Sequence, residues 1–228
     1  MGVCAIIAAA GHGRRMGSSI SKQFINIKNK PILVHTIEKF CQSKLVDSIC
    51  IVVSKDWYSY VTENIIGKFD LRKIDKILIG GTTRQESIYI ALKEMENKYA
   101  TVAIHDAVRP LINLELLNKV IVKGQQTGAA VLAVPVQESV KEVAGNLLKL
   151  TLNRETVWLV QTPQVYKKEI IFNAYQQAFF NCINATDDSE LVEHLGYPIH
   201  VVEGSRINIK ITTPEDLDLA TYLLSKAN

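Results

Sequence analysis

Short apolar runs alternate with segments of helical spacing along most of the chain, and this alternation is the strongest constraint on the fold. The apolar runs have the length of buried strands and lie at residues 3–9, 48–54, 76–79, 101–105 and 129–134. The segments with helical spacing lie between them, at residues 32–41, 56–69, 84–97 and 114–127. Because such alternation is typical of βαβ crossovers, the sequence predicts an α/β fold with a doubly wound, mainly parallel sheet.

The pattern changes after Pro135, where residues 136–158 show no helical spacing. Two stretches, ESVKEV and LLKLTL, flank Ala144-Gly145-Asn146 and together predict a β-hairpin. The chain has no internal repeat or linker, so we expect residues 1–228 to form one domain from which residues 136–158 protrude as a β-arm. An isolated hairpin is marginal in water, so we expect the arm to pack on a second subunit in a homodimer. The alternative is an arm that folds back on its own core.

The last part of the chain returns to alternating elements. We expect helices at residues 167–180 and 187–195, a strand at 199–203, and a final helix that begins at Thr213-Pro214. A hydroxyl residue followed by proline and acids is typical of a helix N-terminus.

Composition narrows the function classes. The chain has 228 residues, is 47% hydrophobic and carries a formal net charge of +3, which is too small to indicate nucleic-acid binding. No apolar run approaches the ~18 residues of a membrane span, and the N-terminus lacks a signal peptide, so we expect a cytoplasmic protein with no membrane partner. The four cysteines lack metal-ligand spacing, and we expect small reduced core residues and no protein metal site; they are Cys4, Cys41, Cys50 and Cys182.

A glycine-rich loop follows the first predicted strand, in the segment AAAGHGRRMG at residues 8–17. Glycine at the carboxyl end of a parallel strand lets backbone N–H groups approach a ligand closely. Arg14, Arg15 and Lys22 add three cations, which suit a triphosphate or pyrophosphate. Met16 stands where a dinucleotide-binding loop has its third glycine, and no GK[ST] sequence completes a Walker A motif.

This loop and the SKQ sequence at residues 21–23 resemble the signature of nucleotidyltransferases that activate sugar and sugar-alcohol phosphates. Four later motifs narrow the resemblance: GGTTRQES (residues 80–87), HDAVRP (105–110), QTPQ (161–164) and NIKITTPEDL (208–217). In this order, the set resembles the family of 2-C-methyl-D-erythritol 4-phosphate cytidylyltransferases. Ribitol-5-phosphate cytidylyltransferases share several of the motifs and stay open as an alternative. RETVW at residues 154–158 and TDDSE at 186–190 favour the first family.

The resemblance implies a Rossmann-like nucleotidyltransferase that joins CTP to 2-C-methyl-D-erythritol 4-phosphate in the non-mevalonate pathway and releases pyrophosphate. The residues implied in catalysis are Arg15, Lys22, Arg154 and Lys210. Those implied in CTP binding are Ala9, Ala10, Gly11, Gly13, Gly81, Ser87, Asp106 and Ala107. Those implied in acceptor binding are Arg109, Ser139 and Thr162. Mg²⁺ is the implied cofactor, held mainly by the CTP phosphates.

Two positions depart from the family pattern. Ser21 replaces the usual proline before Lys22, which removes a fixed φ angle from the loop. Glu138-Ser139 stands where Asp-Thr is usual, although Ser139 keeps a hydroxyl.

Two other function classes are weaker. A nicotinamide dehydrogenase would need Asp56 as its ribose-binding acid, and the missing third glycine counts against it. A nucleotide sensor without catalysis would not need Lys22, Arg154 and Lys210 together. His105 invites a general-base role, but its position in an apolar strand predicts a core hydrogen-bonding residue.

Overall fold

A computed structural model describes residues 2–11 and 21–226. The strands of these residues are, in chain order, β1 (Gly2–Ala9), β2 (Asn26–Ile27), β3 (Lys30–Pro31), β4 (Ser48–Val53), β5 (Ile74–Ile79), β6 (Tyr99–Asp106), β7 (Ala129–Pro135), β8 (Lys141–Ala144), β9 (Leu147–Thr151), β10 (Trp158–Lys167) and β11 (His200–Glu203). Seven of them form the central sheet in the order β11-β7-β10-β6-β1-β4-β5. All neighbours pair in parallel except β10, which is antiparallel to both β6 and β7. The predicted α/β fold with a mainly parallel sheet is therefore confirmed.

The helices of the described residues are α1 (Ile32–Gln42), α2 (Tyr58–Tyr60), α3 (Arg84–Glu94), α4 (Leu114–Thr127), α5 (Lys168–Phe180), α6 (Asp188–His194) and α7 (Pro214–Lys226). Helix α2 continues as a π-helix over Val61–Ile66, and short 3₁₀-helices lie at Lys22–Phe24, Lys55–Trp57 and Arg154–Thr156. The predicted helix at 56–69 is thus shorter and less regular than its spacing suggested.

Helices cover both faces of the sheet, as the alternating side chains of the central strand require. In β1, Ala5 and Ile7 pack in one apolar cluster with α1 and α4. Cys4 and Ile6 point to the opposite face and pack in a second cluster with α3, α5 and α6. Burial on both faces explains why β1 is a continuous apolar run.

Strand β10 was not predicted, because polar residues interrupt its apolar pattern. Its outer end, from Trp158 to Val160, is exposed, whereas Gln161 to Tyr166 are buried in the middle of the sheet. The pairing of β10 with β7 shifts register between Gln161 and Gln164. This strand joins the arm directly to the centre of the fold.

The arm is the two-stranded antiparallel sheet of β8 and β9, which pairs with no strand of the central sheet among the described residues. Gly145 has a φ of 60° in the turn between them, a conformation that glycine adopts without steric cost. Every residue of both strands is exposed. The predicted hairpin is present, and in the single chain its apolar side chains are not covered by the core.

The cysteines follow the sequence prediction only in part. Cys4 and Cys50 are buried, and burial raises the pKa of the Cys4 thiol to about 11. Cys182 is exposed in the turn after α5, so its prediction as a core residue is wrong. Across residues 2–11 and 21–226, no helix combines the length and the apolar character that crossing a membrane would require.

Candidate active site

A cavity of about 480 Å³ opens at the carboxyl ends of β1 and β6 and beside the turn after β5. Ligands of open α/β sheets bind at this edge, where loops can diverge. The described residues that line it are Ala8, Ala9, Ala10, Gly11, Lys22, Gln23, Gly81, Thr82, Thr83, Arg84, Ser87, Asp106, Ala107, Val108, Lys210 and Thr212.

Nine residues that the sequence proposed for the site border this cavity: Lys22, Lys210, Ala9, Ala10, Gly11, Gly81, Ser87, Asp106 and Ala107. They come from segments that lie up to 201 positions apart, from Ala9 to Lys210. The fold brings them together because β1 and β6 are neighbours, with Ala8 opposite Asp106 in the register. The backbone N–H of Ala107 continues this ladder and donates to the oxygen of Ala8 over 3.1 Å.

Arg109 and Thr162, two proposed acceptor-binding residues, contact Asp106. The hydroxyl of Thr162 accepts a hydrogen bond from the backbone N–H of Asp106 over 3.1 Å. Nε of Arg109 lies 3.5 Å from Oδ2 of Asp106, and its Nη1 donates to the backbone oxygen of Asn208 over 2.8 Å. Both residues therefore support Asp106.

Two proposed residues, Ser139 and Arg154, lie on the exposed arm segment and do not line the cavity of the same chain. Nη1 of Arg154 donates to the backbone oxygen of Gln137 over 3.0 Å. Gly13 and Arg15 lie outside the described residues, as do Arg14 and Met16.

Gln23 was not singled out from the sequence, although it stands in the SKQ motif. Its side chain is buried beside the cavity, and Nε2 donates to the backbone oxygens of Ala9 and Gly11 over 2.7 and 3.0 Å. These bonds fix the backbone at the end of β1, where the loop begins.

The turn between β5 and α3 brings backbone close to the cavity. A Cβ atom on Gly81 would lie 2.5 Å from Cβ of Glu86, so any side chain there would force a rearrangement. Helix α3 starts beside it with Thr83 as N-cap, whose hydroxyl accepts from the backbone N–H of Glu86 over 3.0 Å. The N-terminal end of α3 therefore faces the same space and favours an anionic ligand.

Arg84 and Asp188 were also missed, although both stand in motifs that carried the resemblance. Arg84 donates from Nη1 and Nη2 to the two carboxylate oxygens of Asp188, each over 2.8 Å. Its Nε lies 3.4 Å from Oδ1 of Asp106. Sequence spacing could not reveal this chain of contacts, because Arg84 and Asp188 are 104 positions apart.

Asp106 is the centre of charge in the cavity. Burial would raise the pKa of its carboxyl, but Arg84, Lys210 and Arg109 together hold that pKa well below its usual value. Nζ of Lys210 is 2.9 Å from Oδ2 of Asp106. The carboxylate is therefore ionised at neutral pH and is paired with three cations.

His105 is a core residue, as predicted. It is fully buried, contacts the hydroxyl of Thr162 through Nδ1 and the backbone oxygen of Arg109 through Nε2, and its ring lies 4.9 Å from that of Phe40. Burial lowers the pKa of His105 to about 4, so the imidazole is neutral and supports the strand end.

The described residues offer phosphate-binding cations but little for a metal ion. Asp106 is the one carboxylate among the described residues that line the cavity, and it is already paired with cations. Within the part of the chain that the structure describes, no group of three His, Cys, Asp or Glu side chains could hold a metal. A divalent cation used here would be bound mainly by phosphate oxygens and water.

Sequence comparison connects this site to known proteins. The family model for 2-C-methyl-D-erythritol 4-phosphate cytidylyltransferase (IspD) matches residues 3–226. The protein of that name from Syntrophus aciditrophicus is 44% identical over 225 residues, which make up 98% of this chain and 96% of the relative. Its namesake from Clostridioides difficile is 41% identical over 220 residues, 96% of this chain and 92% of the relative.

Solved structures of two proteins have the same fold as this chain over nearly its whole length. The crystal structure of 4-diphosphocytidyl-2C-methyl-D-erythritol synthase from Anaerococcus prevotii matches with a TM-score of 0.86 and 32% identity, covering 98% of this chain and 96% of that one. The 2-C-methyl-D-erythritol 4-phosphate cytidylyltransferase of Thermus thermophilus matches with a TM-score of 0.81 and 29% identity, covering 99% and 100%. The chain belongs to the family of 2-C-methyl-D-erythritol 4-phosphate cytidylyltransferases.

Proposed function

We propose that this protein transfers the cytidylyl group of CTP to 2-C-methyl-D-erythritol 4-phosphate. The products are 4-diphosphocytidyl-2-C-methyl-D-erythritol and pyrophosphate, and the reaction belongs to isoprenoid precursor synthesis by the non-mevalonate pathway. The observation that carries the proposal is the cavity where Lys22, Lys210 and Asp106 meet the glycine-containing turns, in a chain of this family. The relatives named above do not favour the ribitol phosphate alternative.

The reaction needs no covalent enzyme intermediate. A phosphate oxygen of the acceptor attacks the α-phosphorus of CTP in line, and the bond to the β-phosphate oxygen breaks as pyrophosphate leaves. Both reactants are anions, so the barrier depends on neutralising their repulsion and the charge on the leaving group. Fixed cations at the end of the sheet supply this stabilisation.

We assign the transition-state cations to Lys22 and Arg15. Lys22 starts the 3₁₀-helix Lys22–Phe24 and lines the cavity, which supports its assignment. The assignment of Arg15 rests on its place in the glycine-rich loop. For the acceptor phosphate, we assign Lys210 from the cavity and Arg154 from the arm.

The polyol chain of the acceptor needs hydrogen-bonding groups near the reacting phosphate. Arg109 and Thr162 are our candidates because both contact Asp106 at the cavity. Ser139, on the exposed arm, is the third candidate, and it requires the arm of a second subunit to reach this site.

Backbone and small side chains fit the nucleotide. Ala9 ends β1, Ala10 and Gly11 follow it, and Gly81 and Ser87 line the same cavity. We assign these five positions to the base and ribose. Asp106 and Ala107 would border the ribose and phosphates, and Gly13 would follow in the loop.

Magnesium enters this scheme as part of the substrate. Triphosphates bind Mg²⁺ through their oxygens, and the ion keeps several waters. The cation-paired state of Asp106 supports this view, because a carboxylate with three positive neighbours is a poor additional ligand.

We also infer a homodimer built through the arm. Val143, Leu147, Leu148 and Leu150 expose between 48% and 69% of their surface on the two arm strands. Such a cluster of exposed apolar side chains is typical of a surface that a partner covers. One continuous central sheet supports the view that residues 1–228 are a single domain and that residues 136–158 are its arm.

Pyrophosphate release tests the function directly. The enzyme is supplied with Mg–CTP and either 2-C-methyl-D-erythritol 4-phosphate or ribitol 5-phosphate, with ATP, GTP and UTP as nucleotide controls. We expect release with CTP and the methylerythritol acceptor. Release with ribitol 5-phosphate alone would assign the alternative acceptor, and no release with either acceptor would contradict the proposed catalysis.

A further inference from the structure

A buried carboxylate behind the cavity, Asp188, controls the position of Arg84. Asp188 begins α6 and is 0% exposed. It accepts the two Arg84 hydrogen bonds of 2.8 Å and a third hydrogen bond from the hydroxyl of Tyr175. A fully buried carboxylate is costly unless it is paired in this way. The pair therefore fixes the guanidinium of Arg84 at one orientation.

The same guanidinium reaches the cavity with its remaining nitrogen. Nε of Arg84 lies 3.4 Å from Oδ1 of Asp106. A guanidinium is planar and rigid, so holding its two Nη atoms also fixes the direction of Nε. Arg84 lines the cavity and Asp188 does not, so any effect of Asp188 on a ligand passes through Arg84.

Three cations of the described residues share the single carboxylate of Asp106. Arg84, Arg109 and Lys210 lie 3.4, 3.5 and 2.9 Å from its oxygens. Their side chains are 31%, 11% and 40% exposed, so Lys210 is the most accessible. Arg84 and Arg109 are each held by a further hydrogen bond, to Asp188 and to the backbone of Asn208. Lys210, with its flexible stem, is the cation best able to turn towards a phosphate.

Charge balance explains why Arg84 and Arg109 affect the ability of Lys210 to bind a phosphate. The side chains of Asp106, Asp188, Arg84, Arg109 and Lys210 include three cations and two carboxylates, which leaves one positive charge for an anionic ligand. When Lys210 turns to a phosphate, Asp106 keeps Arg84 and Arg109 as partners. If Arg84 were released, more of the charge of Asp106 would have to be balanced by Lys210.

We propose that Asp188 is a positioning residue for the acceptor: by holding Arg84 against Asp106, it allows Lys210 to transfer from Asp106 to the acceptor phosphate. This inference rests on the proposed function, because the polyol phosphate defines which anion Lys210 receives. Asp188 does not line the cavity and acts through Arg84, so we expect a larger effect on the acceptor KM than on the Kd for CTP.

The test compares Asp188→Asn with Glu193→Gln, which removes the same charge from an exposed position of the same helix. The adjacent Asp187 is unsuitable as a control, because its carboxylate also accepts from the side chain of Gln164 in β10 over 3.0 Å. The KM for 2-C-methyl-D-erythritol 4-phosphate is measured at saturating Mg–CTP, the Kd for CTP by calorimetry, and folding by urea unfolding.

We expect Asp188→Asn to raise the acceptor KM by on the order of tenfold, since misplacing a positioning group by about 1 Å costs up to about 10²-fold. The Kd for CTP should stay within about twofold of the wild-type value, and Glu193→Gln should leave both constants near wild type. Equal acceptor KM values in the two variants would overturn the proposal. So would a parallel loss of CTP affinity, which is the mark of a structural role.

Tyr175→Phe is a milder variant that tests the same contact if Asp188→Asn does not fold. It removes one hydrogen bond to Asp188 but keeps the ring that stacks on Tyr89. We expect a smaller rise in acceptor KM with no change in CTP affinity, and an unchanged acceptor KM would contradict the proposal. If the wild-type protein releases no pyrophosphate, the proposed function is wrong. If it releases pyrophosphate but Asp188→Asn and its control have the same acceptor KM, only the inference about Asp188 is wrong.

Discussion

The side-chain amide of Gln23 donates a hydrogen bond to the backbone oxygen of Ala9 over 2.7 Å, directly beneath the candidate nucleotide site. An ionised glutamate at this position cannot donate and would face two backbone oxygens. An unmade buried hydrogen bond costs about 1–3 kcal/mol, so we expect Gln23→Glu to raise the Kd for CTP by roughly tenfold. Calorimetry measures this change. Gln42→Glu, on an exposed position of α1, is the control and should bind CTP normally.

Lys22 lines the cavity as an assigned transition-state cation. We expect Lys22→Ala to lower kcat by on the order of 10²-fold, the loss found for one preorganised transition-state donor. Initial rates of pyrophosphate release test this, with Lys44→Ala as the control at an exposed lysine. A correctly folded Lys22→Ala enzyme with the wild-type kcat would show that the assignment is wrong.

His105 should make stability depend on pH. Burial lowers its pKa to about 4 in the folded protein, although hydrogen bonds to Arg109 and Thr162 partly oppose this. In the unfolded chain the pKa is about 6.5, so the unfolded state binds more protons between these values. The contribution of neutral His105 is fully present above about pH 6.5 and is lost as pH falls to about 4, an effect of about 3 kcal/mol.

Urea unfolding between about pH 4.5 and 7.5 tests this dependence. We expect His105→Gln to show a shallower decline of unfolding free energy towards acid than wild type. His194→Gln, at an exposed position, should keep the wild-type slope. Identical slopes in all three proteins would exclude His105 as the titrating group.

Ser21 already has the backbone conformation of a proline. Its φ and ψ are −60° and 134°, which proline also adopts. Ser21→Pro should therefore stabilise the protein by about 0.4–1 kcal/mol, because proline lowers the conformational entropy of the unfolded chain. Ser43→Pro is the contrasting control: its φ of −71° also fits proline, but its N–H donates to Phe40. We expect Ser43→Pro to destabilise, and a fall in unfolding free energy for Ser21→Pro would contradict the prediction.

The exposed leucines of the arm should hold the dimer together. Leu147 and Leu148 are each 69% exposed, and replacing both with serine should give a monomer in analytical ultracentrifugation. Because Arg154 is assigned to the acceptor site of the other subunit, pyrophosphate release should fall together with dimerisation. Leu219→Ser, at a 47% exposed position of α7, is the control for a general loss of surface leucine. A monomer with full activity would contradict the shared site.

Periodicity was enough to predict the parallel part of the sheet but not β10. Strands β1, β4, β6 and β7 are buried almost throughout, so apolar side chains dominate them. In β10, buried polar side chains are satisfied by distant partners: Gln161 donates to Ser205 and Gln164 donates to Asp187. Such long-range hydrogen bonds allow polar residues in a central strand. The strand then lacks the continuous apolar run from which the other strands were predicted.

Site residues that stand in a recognisable motif and line the cavity could be predicted from the sequence. Residues whose role is a contact with a distant part of the chain could not. Resemblance pointed to Lys22, Asp106 and Lys210, and the fold brings these three to one cavity. Gln23 and Arg84 were missed because their roles are contacts, to backbone oxygens and to Asp188, that become visible only in three dimensions. The roles of Ser139 and Arg154 stay predictions, because both residues lie on the arm, outside the cavity of the same chain.

Strand β10 begins at Trp158, the last residue of the arm, and runs to the centre of the sheet. Trp158 pairs with Pro135 at its outer end, whereas Gln164 pairs with Ile104, two positions before Asp106. A displacement of the arm therefore acts on the strand that carries Thr162, whose hydroxyl accepts from the backbone N–H of Asp106.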